Sequence, residues 1–249
     1  MSSNVKYKRI LLKLSGEALQ KEVKACKNSD CDVKIKEIYD FDFIDTIADV
    51  LKKCLAEGVQ IGIIVGAGNI WRGRAGTDMD RARADQMGML ATTINALALQ
   101  DAFIRHGIDT VVMTAVEMKA FAEPYTVRGA VSALEAGKVV IFGAGLGAPY
   151  FSTDTAAVLR GAEIGADAVL MAKNVDAVYS ADPRQVNGAT KYDDISYAEV
   201  IAKNLKALDI TAVAFCMDNN ITTHAFGLKD PMNIDRVIMG EKLGTELHK

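Results

Sequence analysis

Residues 8–16 are KRILLKLSG, a short apolar run broken by one lysine and ended by a Ser-Gly turn. The apolar run Ile10-Leu11-Leu12 with Leu14 is too short for a core helix and stops on Ser15-Gly16, so Lys8 to Leu14 is expected to be a strand. VQIGIIV, from Val59 to Val65, has the same character and stops on Gly66-Ala67-Gly68. Between the two, Phe41 to Glu57 has helical spacing and is closed by Gly58. A long helix is expected from Arg81 to Arg105, with Met87, Leu90, Ile94, Leu97 and Ile104 at three-to-four spacing and Gly107 at its end. That stripe reads as core or as a subunit interface. The alternation continues with strand Asp109 to Met113, helix Thr126 to Glu135 before Gly137, and strand Lys138 to Phe142. Helix Asp154 to Ile164 before Gly165 and strand Asp167 to Ala172 complete it. Strands alternating with helices need crossover connections. This predicts an α/β fold, a three-layer αβα sandwich around a mainly parallel sheet.

Past Ala172 the pattern changes to a loop (Asn174 to Thr190), two helical segments, a short strand near Thr223 to Gly227 and a terminal stretch from Val237 to Leu247. No Pro- or Ser-rich linker interrupts the chain, so residues 1–249 are expected to form one domain with two functional halves that meet near Ala172. The polar segment Lys21 to Lys36 (KEVKACKNSDCDVKIK) lacks apolar periodicity and reads as a mobile surface excursion.

Composition narrows the function. With a net charge of −3 and a pI near 5.7, the chain lacks the basic excess of a nucleic-acid binder. No segment offers the roughly 18 uninterrupted apolar residues of a membrane span, and polar Met1 to Lys8 does not read as a signal peptide. Cys26, Cys31, Cys54 and Cys216 make neither a CxxC pair nor a disulfide framework, so free thiols in a reducing cytoplasm are expected. His106, His224 and His248 have no metal-ligand spacing.

Open sheets of this type bind ligands beyond the carboxyl ends of their strands. Those ends carry Lys13-Leu14-Ser15-Gly16, then Gly66-Ala67-Gly68-Asn69 with Trp71-Arg72, then Gly143 to Pro149 followed by Ser152-Thr153-Asp154 at a helix start, then Lys173-Asn174 with Tyr179 and Asp182 further on. Glycine lets backbone N–H groups approach a ligand, and phosphate is the anion such turns hold best. Lys13, beside an apolar run, carries a charge that is costly without an anion. Arg72 supplies a planar fork suited to phosphate. Taken alone, Asp154 could be a helix-dipole partner and Asp85 a solvated face residue. There is no GxxxxGK[ST] loop. Gly143, Gly145 and Ala148 do fit a dinucleotide fingerprint, but Pro149-Tyr150-Phe151 separate them from the helix that should open at once.

These blocks resemble the amino-acid kinase family and, within it, the bacterial uridylate kinases. The likeness rests on YKRILLKLSGEAL (Tyr7 to Leu19), GAGNIWRG (Gly66 to Gly73), DQMGMLAT (Asp85 to Thr92), GLGAPYFSTDT (Gly145 to Thr155), VDAVYSADP (Val175 to Pro183) and VIMGEKLG (Val237 to Gly244). The resemblance implies transfer of the γ-phosphoryl group of ATP to UMP, giving UDP and ADP in pyrimidine nucleotide biosynthesis. Mg²⁺ would be carried by the ATP phosphates rather than by protein ligands. It makes Lys13, Arg72 and Asp154 the expected catalytic residues: Lys13 across the β- and γ-phosphates, Arg72 on the phosphates from the acceptor side, Asp154 orienting the lysine. Leu14, Ser15 and Gly16 would line the ATP phosphates, with Ala67 and Gly68 where donor and acceptor meet. Asp85 would accept from the UMP ribose, and Leu146, Gly147, Ala148, Pro149, Tyr150, Phe151, Ser152 and Thr153 would wrap the uridine and its phosphate. Tyr179 and Asp182 would contact the adenosine, with Lys173 or Asn174 nearby. On this reading residues up to about 172 form the UMP half and the rest the ATP half. A homohexamer of dimers packed through the long helix, UTP inhibition and GTP as an effector are family properties.

The sequence departs from the family pattern in three places. Gln20 to Lys36 has no glycine where a glycine-containing segment tied to GTP activation is usual, and Gln100-Asp101 stands where enterobacterial members place an activator-binding arginine. Both weigh against GTP activation and leave the chemistry alone. Ala67 replaces a common glycine, which matters only if its φ is positive. The other readings are sister kinases of acetylglutamate, carbamate, aspartate or isopentenyl phosphate, a non-catalytic nucleotide-binding regulator or storage protein, and a dinucleotide-dependent oxidoreductase.

Overall fold

The computed structural model describes residues 5–24, 34–72, 78–183, 185–186 and 188–249. In chain order, β1 (Arg9–Leu14) leads into a 3-10 turn (Gly16–Leu19), then β2 (Lys21–Lys24), β3 (Lys34–Glu37), α1 (Phe41–Ala56), β4 (Gln60–Val65) and α2 (Arg81–Arg105). Next come β5 (Thr110–Thr114), β6 (Glu123–Pro124), α3 (Val127–Glu135), β7 (Val139–Gly143), α4 (Thr153–Glu163) and β8 (Ala168–Lys173). The remainder runs β9 (Val178–Tyr179), β10 (Lys191–Tyr192), β11 (Asp194–Ser196), α5 (Tyr197–Ala202), α6 (Ile210–Asn219), β12 (Thr223–Gly227), α7 (Met232–Ile238) and β13 (Thr245–His248). Nine strands form one sheet in the order β11-β13-β12-β8-β1-β4-β7-β5-β6. Every neighbouring pair in it is parallel except β12 with β13.

Cover on both faces of β1 explains why Ile10-Leu11-Leu12 is an unbroken apolar run. Ile10, Leu12 and Leu14 face the layer of α1, α2 and α7, whereas Leu11 faces that of α3 to α6. All four are fully buried, each worth about 1.5–3 kcal/mol relative to exposure. Helix starts are marked by side-chain caps: Asp40, Asp80, Thr126, Ser152 and Asp209 each accept from the backbone N–H three residues on. Gly58, Gly107, Gly137 and Gly165 follow the helix ends with positive φ, as their spacing led one to expect.

Four readings are corrected or refined. The described ends of the Lys21 to Lys36 segment pair as an antiparallel ribbon, β2 with β3; Cys26 and Cys31 lie outside the described residues. Of the α2 stripe, Leu97 packs against the core, whereas Leu90, Ile94 and Ile104 are 54%, 52% and 55% exposed, so the core half of the core-or-interface reading fails for these three; the sheet-facing side is Ala91, Ala96, Leu99, Ala102 and Phe103. Loop Asn174 to Thr190 contains β9, paired with β10. The terminal stretch is a helix that ends at Ile238 followed by an antiparallel strand, β13. Among the described residues α2 alone is long and apolar enough to cross a membrane, and one side of it packs against the sheet.

Near the amino end of β12, His224 is buried with its Nε2 2.7 Å from Tyr7 Oη and 3.6 Å from Glu246 Oε2. Burial pulls its pKa from 6.5 down to about 4; Glu246 opposes this and Lys6 adds to it. The imidazole is therefore neutral in the fold at pH values where the unfolded chain would protonate it. The resulting stability is complete above pH 6.5 and lost as pH falls towards 4, on the order of 3 kcal/mol in all. His224→Gln is expected to flatten the dependence of unfolding free energy on pH across that window, as read from urea melts. An unchanged slope would rule the imidazole out as its source.

Candidate active site

The carboxyl ends of β1, β4, β7 and β8 open on one rim of the sheet. Alternation along two adjacent strands points Lys13 and Lys173 to the face already occupied by Leu11, Val169 and Met171, the face covered by α4. The first turn of α4 carries Asp154. Lys13 Nζ lies 3.2 Å from Asp154 Oδ1 and Lys173 Nζ 3.6 Å from Oδ2, with the side chains of Lys13, Asp154 and Lys173 only 13%, 19% and 25% exposed. Lys173 Nζ also donates to the Ala207 carbonyl. Burial alone would raise the Asp154 carboxyl, but the two ammonium groups outweigh it and hold the pKa below the ordinary carboxylate value. Burial lowers that of Lys173, against the attraction of Asp154 and with the repulsion of Lys13. Two cations share one carboxylate in a desolvated place, a surplus that an anion would neutralise.

The amino ends of two helices meet here. Ser152 caps α4 and donates its hydroxyl to Asp209, which also accepts from Thr155 Oγ1 at 3.0 and 3.1 Å and caps α6 through Ala212 N at 3.0 Å. Sequence reasoning missed Asp209. Its position before Ile210-Thr211-Ala212 signals a cap, but nothing local says that it binds a second helix as well. The rim thus offers helix N-termini and lysines together, an arrangement suited to phosphate.

The second glycine turn abuts the first: Gly66 N donates to Leu14 O at 3.0 Å. A Cβ on Gly16 would strike the Gly66 carbonyl and the Asn69 side chain, so glycine is required there by close approach. Ala67 stays out of the left-handed region, and its side chain is accommodated. Arg72 lies at this rim but pairs with Glu17 rather than with the lysine cluster. The other Glu17 oxygen accepts from Asn174 Nδ2 at 3.3 Å.

Beside the turns is a cleft of about 230 Å³ lined by Ala67, Asp85, Leu146, Ala148, Ser152 and Thr153, among others. Asp85 Oδ2 accepts from Arg81 Nε and from Tyr150 N, both at 2.8 Å. The loop that forms one wall is conformationally strained: Ala144 and Tyr150 have φ of 61° and 73°, and Gly145 and Gly147 are also left-handed. It is held from both sides. Thr92 Oγ1 accepts from Ala144 N at 3.0 Å, and the buried Arg160 donates to Gly145 O at 3.5 Å while lying 3.9 Å over the Tyr125 ring. Pro149 belongs to the same loop, and Tyr150 and Phe151 are exposed at its end. Tyr179 on β9 donates to Asp176 at 3.0 Å, and Asp182 follows it, its carbonyl accepting from Gln185 N at 3.0 Å.

The profile of the amino acid kinase family matches residues 8–226. The UMP kinase of Bacillus anthracis is 34% identical, with a TM-score of 0.87 over 97% of this chain and 96% of that one. For the UMP kinase of Ureaplasma parvum the identity is 36% and the TM-score 0.86, over 98% and 100%. A uridylate kinase from Archaeoglobus fulgidus is similar at 25% identity and a TM-score of 0.68, over 96% and 99%.

Proposed function

The chain belongs to the amino acid kinase family, and from that premise we propose that it is a uridylate kinase, moving the γ-phosphoryl group of ATP onto UMP to give UDP and ADP in pyrimidine nucleotide synthesis. One observation carries the reading: the largely buried Lys13–Asp154–Lys173 cluster sits on the same rim of the sheet as a cleft lined by Asp85. The chain is also similar over nearly its full length to UMP kinases.

Phosphoryl transfer asks the protein for in-line placement and neutralisation of charge, with little covalent work. On this proposal Lys13 bridges the β- and γ-phosphates and Asp154 sets its position. Leu14, Ser15, Gly16 and Gly68 give the triphosphate its backbone-lined trough. Arg72 exchanges Glu17 for phosphate. Lys173, Asn174, Tyr179 and Asp182 belong to the ATP half, residues 173–249 of the single domain. Ala67, Asp85 and residues 146–153 hold UMP. The accepting oxygen of UMP is already an anion, so no general base is required. Among the described residues no group of three or more His, Cys, Asp or Glu side chains stands ready for a metal. Mg²⁺, which keeps its own waters and binds phosphate oxygens, fits as a passenger of ATP, beside a cluster whose lone carboxylate faces two lysines. There it would neutralise phosphate charge.

A coupled assay with ATP, Mg²⁺ and UMP, CMP or dTMP tests the proposal: turnover confined to UMP supports it, and binding without turnover points to a regulator. Asp85→Asn is expected to raise KM for UMP roughly 10- to 100-fold with kcat little changed, because a charged acceptor is lost. An unaltered KM returns Asp85 to the role of a surface residue. The exposed Leu90, Ile94 and Ile104 on α2 support pairing of subunits through that helix within a hexamer, which light scattering tests. UTP inhibition belongs to the same proposal. GTP activation is set against Gln100, whose amide is taken by Thr110 O at 3.0 Å. Buried free thiols at Cys54 and Cys216 accord with a cytoplasmic setting.

A further inference from the structure

We propose that Asn69 and Asn95 are positioning residues that fix the gap between the donor turn at Ser15-Gly16 and the acceptor turn at Gly66–Gly68; this rests on the kinase reading for the identity of the two turns. Asn95 is fully buried halfway along α2, and Asn69 is 8% exposed. Their amides pair reciprocally. Asn95 Nδ2 donates to Asn69 Oδ1 at 2.7 Å, and Asn69 Nδ2 donates to Asn95 Oδ1 at 2.9 Å. The remaining proton on Asn95 Nδ2 goes to the Gly66 carbonyl at 2.7 Å, and that on Asn69 Nδ2 to Ile38 O at 3.2 Å. Tyr39 Oη donates to Asn95 Oδ1 at 2.9 Å, and Gln20 Nε2 to Asn69 O at 3.1 Å. All four amide protons are used, so the polarity of each group admits one arrangement.

Position gives the pair its function. The Gly66 carbonyl held by Asn95 is the atom a Cβ on Gly16 would strike, together with the Asn69 amide oxygen. The pair therefore touches the crossing of both phosphate turns while neither amide lines the cleft. Stability alone does not explain it, since a buried polar pair can be replaced by apolar groups of the same shape at little cost. Alignment does: a displacement of about 1 Å in an in-line transfer costs on the order of 100-fold in rate.

The test is steady-state kinetics on Asn95→Ala, Asn69→Ala and the double variant, with folding checked by circular dichroism and ATP and UMP affinities by calorimetry. Asn95→Ala is expected to lower kcat about 100-fold. Both affinities should stay within about threefold of wild type, and the double variant should fall no further than the worse single one. Should Asn95→Ala fail to fold, Asn69→Asp keeps the shape and turns a donor towards Asn95 Oδ1 and Ile38 O into an acceptor, with the same kcat loss expected. A folded variant with kcat near wild type, a rise in KM with kcat unchanged, or additive losses would each overturn the proposal. Wild-type turnover with UMP judges the kinase reading separately, because the ratio of variant to wild type can be measured with whichever acceptor the enzyme uses.

Discussion

Lys13→Ala is expected to lower kcat by about 100- to 1,000-fold and to leave the protein folded. The loss follows from where the charge sits. Lys13 is 13% exposed, on a strand whose Ile10, Leu11, Leu12 and Leu14 are buried on its two faces, and its only ion-pair partner among the described residues is Asp154 at 3.2 Å. A cation so desolvated acts on a developing phosphoryl charge without the screening that weakens surface pairs. Folding should survive because Asp154 keeps Lys173 as a counter-ion, and Leu11, Leu12 and Leu14 still anchor β1. The expected pattern is a fall in kcat larger than the rise in KM for ATP, the mark of an interaction strengthened in the transition state. Near-wild-type turnover in a folded variant would remove Lys13 from the mechanism. Loss of ATP binding with kcat preserved would reduce it to a docking residue.

How much of this was readable beforehand depended on whether the signal was local. The extent of α2, Arg81 to Arg105, was legible from its apolar spacing and the Gly107 stop, and the structure adds an Asp80 cap at its start. The central strands were legible because they are covered on both faces and so read as unbroken apolar runs. Which side of α2 meets the sheet was not. Ala91, Ala96 and Ala102 let the helix lie close to the strands, so small residues face the core while Leu90 and Ile94 face out, and periodicity alone prefers the larger side chains. The edge strand β11 and its neighbour β13 are short and carry Asp194, Glu246 and His248, a composition that resembles a loop.

The site divides in the same way. The glycine turns and Lys13 announce themselves because a charge next to an apolar run needs a reason. The Lys173–Asp154 contact depends on the register of β1 against β8, the Glu17–Arg72 pair on the meeting of two turns, and the Asn69–Asn95 pair on a helix crossing a turn. These are tertiary facts with no local mark beyond a polar residue at a core-facing place, which is how Asn95 stands on α2.

Asp154→Asn is expected to be more damaging to the ligand-free protein than Lys13→Ala, although it changes shape least. The amide keeps the volume but removes the only negative charge between two ammonium groups, and breaking a buried pair in this way costs about 3–5 kcal/mol. Lys173, whose pKa is already lowered by burial, would lose the main partner that opposes that shift, with Asp209 left as a weaker one, and would titrate at still lower pH. The melting temperature should fall, kcat should drop about 100-fold or more, and ATP should restore much of the lost stability, since its phosphates replace the missing charge. The pH dependence carries a second check. Because the folded-state pKa of Asp154 is depressed, its contribution is present above the unfolded value and lost as pH falls through the folded one. The wild-type protein should therefore lose stability in the acid range along a slope that the Asn variant lacks. Equal melting temperatures with and without the carboxylate, together with parallel acid slopes, would mean that the two lysines do not depend on Asp154, and the charge-sharing account of this site would fail.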